Sequence, residues 1–183
     1  MIDYLSKYIS GDKFDIPRLL NDDFFLAIKL TFNAGYYISA AKLLMSFIDT
    51  MAFLESGEGG AVPFKGWLDA HVSLSTLGVT SEEIWEHRNS LLHMSTPNSR
   101  RVRDGKVSRL VAYIGELPPG SPTRDAEAKW FDLYGLIQAV TKGIESYLET
   151  MLGSPDSRGT FIARYDQILS DARYSRFENK SGS

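Results

Sequence analysis

The sequence predicts an all-α domain, a helical bundle with one β-hairpin inserted late in the chain. Three observations carry this. Apolar residues recur at steps of three and four over most of the length. Glycine and proline clusters at Gly57–Gly60, Thr96–Ser99 and Pro118–Pro122 cut the chain into helix-sized segments. One stretch alternates with a period of two, around Asp104-Gly105. With 183 residues, 43% hydrophobic and 23% charged, the chain is long enough for one soluble core and is neither disordered nor fibrous. We expect a single domain over 1–174 and a frayed tail over 175–183.

The first helix is expected from about Pro17 to Asn33, with proline at a first helical position and Phe24, Phe25, Ile28 and Phe32 as its stripe. The second spans about Tyr36 to Glu55. Ile38, Ala41, Met45, Ile48 and Ala52 form one stripe, and Leu44, Phe47, Met51 and Leu54 form another, so this helix is apolar on most sides and central. Lys42, Ser46, Asp49 and Thr50 interrupt it, which argues for a core helix rather than a membrane span. A third helix runs from about Phe64 to Leu74. The fourth begins at Thr80-Ser81-Glu82-Glu83, the form of a capping box, and stops within a turn of His93 ahead of Thr96-Pro97.

Asp104-Gly105 then suits a two-residue turn, and Val107, Arg109, Val111 and Tyr113 alternate with their neighbours, which predicts a hairpin over about 99–114. The longest helix is expected over about 124–152, from the run Ala126, Trp130, Leu133, Ile137, Val140, Ile144, Tyr147 and Met151. A last helix covers about 160–173.

Several chemistries find no footing. With no cysteine, a thiolate metal site and a cysteine nucleophile are excluded. Gly57, Gly59 and Gly60 do not match phosphate-loop or dinucleotide spacing, and His71, His87 and His93 lack metal-ligand spacing, so no metal and no cofactor are expected. The net charge of −3 makes the chain no polycation. Met1 to Ser10 carries Asp3 and Lys7 with no long apolar core, so we expect no signal peptide there and a cytoplasmic protein that does not engage a membrane.

One segment stands out: Glu86-His87-Arg88-Asn89-Ser90-Leu91-Leu92-His93. An arginine, a polar residue directly after it and a histidine five positions on sit near the end of a capped helix. In Arg88, Asn89 and His93, with the acid embedded in Phe47-Ile48-Asp49, the chain resembles the HEPN superfamily (higher eukaryotes and prokaryotes nucleotide-binding domain). The resemblance extends loosely over about Pro17 to Leu152. It implies a metal-independent endoribonuclease, a homodimer whose two motifs meet across a two-fold axis, and a toxin or antiphage role with an antitoxin protein as partner. Non-catalytic members imply the alternative of a module that binds RNA, nucleotide or a partner protein.

The residue types suit RNA cleavage through the 2′-hydroxyl. Histidine titrates near neutrality and can move either proton. Arginine offers a permanently charged fork to phosphate oxygens. Asn89 can orient either partner, and it shares a helix face with His93. Arg88 and His93 lie about 140° apart on an ideal helix. Either the arginine curls around, or the helix changes near its end, or a second subunit completes the site. His71 and His87 read as structural or surface residues. Asp49, set among apolar residues, needs a partner. It either orients Arg88 or His93, or forms an ion pair or a cap elsewhere in the bundle.

Between His87 and Arg109 lie Arg88, Arg100, Arg101, Arg103, Lys106 and Arg109 against the single acid Asp104. In a hairpin Arg103 would face Lys106 and Arg100 would face Arg109, and like charges directly opposite destabilise. An RNA backbone or acids from another helix would compensate. A charged edge that blunts aggregation is the other explanation.

Overall fold

A computed structural model describes residues 4–11, 13–94, 99–117 and 128–170. The described chain is mostly helical, as expected. The tail at 175–183 lies outside the described residues.

A short 3-10 turn (Tyr4–Tyr8) leads into a small antiparallel pair, β1 (Ile9–Ser10) and β2 (Lys13–Phe14). The first helix then forms in three pieces: α1 (Ile16–Leu20), a π turn (Asn21–Phe25) and α2 (Leu26–Asn33). Asp15 caps it by accepting from the Arg18 N–H at 3.0 Å. The π turn swings Phe24 and Phe25 onto Phe47, with ring centroids 4.8 and 4.9 Å away.

Phe47 belongs to α3 (Tyr37–Ser56), the central helix the sequence predicts. Leu44, Met45, Phe47, Ile48, Met51 and Leu54 are all buried. At about 1.5–3 kcal/mol for each large apolar side chain taken from water, this helix organises the core. It is the one helix among the described residues long and apolar enough to cross a membrane, and its buried face packs on α2, on α4 (Ala61–His71) and on α8 (Pro155–Ser170). It ends at Gly57 in the left-handed region (φ +80°), where Arg164 of α8 donates to the carbonyls of Leu54 and Glu55.

After α4 a 3-10 turn (Leu74–Leu77) leads to α5 (Ser81–Asn89), and α5 passes directly into a second π turn, Ser90–Met94. The capping box forms as predicted. Thr80 Oγ1 accepts from the Glu83 N–H at 3.2 Å, and Glu83 Oε2 accepts from the Thr80 N–H at 2.9 Å.

The expected hairpin does not form. Arg100–Arg103 is one helical turn, α6, capped by Ser99. Asp104-Gly105 closes that helix. The Gly105 N–H bonds to the Val102 carbonyl at 3.0 Å and the Lys106 N–H to the Arg101 carbonyl at 2.9 Å. This is a Schellman ending, which wants the same positive φ at glycine (+69°) that a hairpin turn wants. The alternating segment does become a strand, β3 (Leu110–Tyr113), but it pairs in parallel with β4 (Lys129–Asp132). The opposed like charges of a hairpin therefore never arise.

The long helix is shorter than expected. α7 runs from Leu133 to Leu152, with Asp132 as its cap, accepting from the Tyr134 N–H at 2.9 Å. Trp130 fits the helical step but serves β4 beside the buried Phe131, and aromatic residues suit a pleated strand equally well. The expected first positions, 124–127, lie outside the described residues. α7 approaches the end of α4 closely at Gly143, where a Cβ would sit 2.6 Å from the His71 carbonyl oxygen.

Candidate active site on the capped helix

Arg88 is the centre of a built arrangement on α5. Its Nε donates to Asp49 Oδ2 at 2.8 Å, and its Nη2 lies 2.7 Å from the same oxygen. Its Nη1 donates to Asn89 Oδ1 at 3.1 Å. The guanidinium lies over the Trp85 ring, 5.0 Å from its centroid. Side-chain exposure is 16% for Arg88 and 25% for Asp49, so the pair sits at the rim of the core with water on one side. Asp49 reaches this place because α3 puts residues 46 and 49 on its outer face while residues 44, 45, 47 and 48 face inward. Of the two roles open to Asp49 in the sequence, the geometry is that of a carboxylate holding Arg88.

Trp85 is a site residue that the sequence pattern alone does not single out. It stands three positions before Arg88 on the same helix face, a spacing that brings side chains together. Its ring also meets Phe64 of α4 edge-on at 5.2 Å, which fixes the platform under the guanidinium.

Of the three arrangements open to Arg88 and His93, a change of the helix near its end is present. From Ser90 the turns are π, and the Ser90 hydroxyl donates to the Glu86 carbonyl at 2.9 Å. Each residue of an i→i+5 turn advances less than in an α-helix, so the backbone at position 93 comes round below the about 140° that an ideal helix sets from Arg88. The side chain of His93 lies outside the described residues. Asn89 is brought to Arg88, and its amide is oriented by that contact.

His87 faces away from this cluster, edge-on to Phe131 of β4 with centroids 5.5 Å apart. Burial pushes its pKa down to about 4, so it is neutral at neutral pH. His71 is remote, bonded through Nε2 to Glu55 Oε1 at 2.9 Å. The expectation that these two are structural agrees with their packing.

The basic segment divides. Arg101 is paired with Glu82, and its Nη1 is 3.9 Å from Glu86, itself buried. Glu82 also holds Lys65 of α4 at 2.6 Å, and Glu83 holds Lys129 of β4 at 2.9 Å. The acidic side of α5 thus ties α4, α6 and β4 to the motif helix. This is the compensation by acids of another helix, and it takes Arg101 out of the free set. Lys106 lies 3.9 Å from Asp104. Arg109 has its Nε buried and its backbone carbonyl bonded to the Lys129 N–H at 2.8 Å. Arg100 and Arg103 are exposed and make no ion pair among the described residues.

Among the described residues no three of His, Asp and Glu gather as a metal-binding group. Compared with family models, curated proteins and solved structures, the chain matches none.

Proposed function

We propose that this chain is a metal-independent endoribonuclease of the HEPN type, cytoplasmic and dimeric, acting as a toxin or antiphage component with an antitoxin protein as partner. The observation that carries the reading is the Arg88 fork, preset by Asp49, Asn89 and Trp85 next to the π turn that holds His93. Arg88 stabilises charge on the scissile phosphate. His93 moves protons as the substrate's 2′-hydroxyl attacks. The P–O5′ bond breaks, leaving a 2′,3′-cyclic phosphate and a 5′-hydroxyl. Asn89 positions Arg88, and Arg100 and Arg103 track the RNA backbone. Ile38, eleven positions before Asp49 and about 20° from it around α3, leaves apolar surface on that face, which supports a second copy covering it.

Purified protein should cleave a pool of cellular RNA, and Arg88→Ala and His93→Ala should each abolish cleavage with the helical spectrum kept. Unchanged cleavage in both variants would defeat the assignment.

The Asp49 contact of Arg88 favours one second reading. An arginine whose charge is already offset by a carboxylate suits a module that binds RNA, nucleotide or a protein without cutting. RNA bound but left intact by the wild-type chain would select it.

A further inference from the structure

A concave site lies between α2 and α7, with a volume of about 660 Å³ and no residue of α5 in its lining. Its floor is aromatic. The Phe32 and Tyr134 rings stack with centroids 5.6 Å apart and planes 29° apart. Phe32 is fixed from a second direction by Tyr37, edge-on at 5.2 Å. Tyr134 is 49% exposed, so a further flat ring has room on this stack. Asn33 and Gln138, both exposed, bring amide side chains to the lining. Lys29 on α2 and Lys142 on α7 line opposite walls and make no ion pair among the described residues. Glu145 is the one acid in the lining, which leaves a single net positive charge.

An apolar partner alone would leave the two lysines and the amides unused. A planar base uses the ring for stacking, the amides for its hydrogen-bonding edge, and the lysines for a phosphate. The single net charge suits one phosphate better than a polyphosphate chain. We propose that this groove binds a nucleotide unit, with its base on Tyr134 and its phosphate between Lys29 and Lys142. The site is separate from the Arg88 cluster and rests on the ribonuclease reading only in the choice of RNA as one probe.

The test is a fluorescence titration of the full chain with 2-aminopurine riboside 5′-monophosphate and with a short single-stranded oligoribonucleotide carrying one 2-aminopurine. Stacking on Tyr134 quenches the probe. Tyr134→Ala and the double variant Lys29→Glu/Lys142→Glu, all at exposed positions, should keep the wild-type helical spectrum and weaken binding about tenfold or more. Binding of the mononucleotide marks a free nucleotide as ligand, and quenching by the oligomer alone marks RNA. No quenching of either probe, or equal quenching by all variants, overturns the proposal. So does self-association that Tyr134→Ala removes with no nucleotide bound, which would give the groove to a second copy. Loss of cleavage in His93→Ala with quenching intact separates this site from the catalytic reading.

Discussion

Arg88 and Asp49, 39 residues apart in sequence, meet through two nitrogens of the guanidinium on one carboxylate oxygen. A charge-assisted contact of this kind, partly screened at the rim, contributes on the order of 1–2 kcal/mol. Asp49→Ala should lower stability by about that amount and release Arg88 from its preset position, so RNA cleavage should fall tenfold or more. Urea unfolding beside a cleavage time course checks both. Full cleavage in a folded Asp49→Ala chain would show that the carboxylate only braces the bundle.

His87 gives the fold a pH dependence of definite sign. Its folded pKa is about 4 against an ordinary value of 6.5. The unfolded chain therefore takes up this proton first as pH falls. The contribution is complete above about 6.5 and is lost as pH drops through about 4, with a limit of roughly 3 kcal/mol. Urea midpoints at pH 7 and pH 4 should diverge more for the wild type than for His87→Leu. Equal slopes would place the ring in water.

Gly143 sets how closely α7 meets α4. Gly143→Ala drives a methyl group into the His71 carbonyl and should cost about 1–3 kcal/mol, or several degrees of melting temperature. Gly59, with nothing within 4 Å of its added Cβ, is the control and should tolerate alanine. Scanning calorimetry of the two variants decides the point.

Much of this was legible in the sequence because local chemistry dictated it. The Thr80/Glu83 capping box needs only four adjacent residues, and the double apolar stripe of α3 fixes its central place. The hairpin was misread because Asp104-Gly105 satisfies two endings that need the same backbone at glycine. What separates them is tertiary: Glu82 and Glu86 draw Arg101 onto α5, and Lys129 gives β3 a parallel partner from beyond residue 118. A short-range pattern cannot report either contact. In the site, Arg88 and Asp49 were found separately by residue type, and their meeting depends on how α3 packs. Trp85 had a usable signal in its spacing of three from Arg88. The π turn had none, since Ser90-Leu91-Leu92 reads as ordinary helix.

The division of the basic segment separates stability from binding. Arg101→Ala strands the buried Glu86 carboxylate and should destabilise the fold by about 1–3 kcal/mol. Arg103→Ala should leave stability within about 0.5 kcal/mol, weaken RNA binding and reduce its salt slope by about one. Thermal unfolding and RNA titrations at several salt concentrations measure both. The opposite pattern would mean that Arg101, not Arg103, meets the phosphate backbone.

The central claim is that Arg88 and His93 cut RNA through its own 2′-hydroxyl. The most direct measurement is the chemical identity of the products from a defined RNA, cleaved by the full chain in the presence of a chelator. The account predicts a 2′,3′-cyclic phosphate and a 5′-hydroxyl, no product with His93→Ala, and no product when the nucleotide 5′ of the scissile bond is 2′-deoxy. A 5′-phosphate product, cleavage that stops with the chelator, or equal cutting of single-stranded DNA would contradict it.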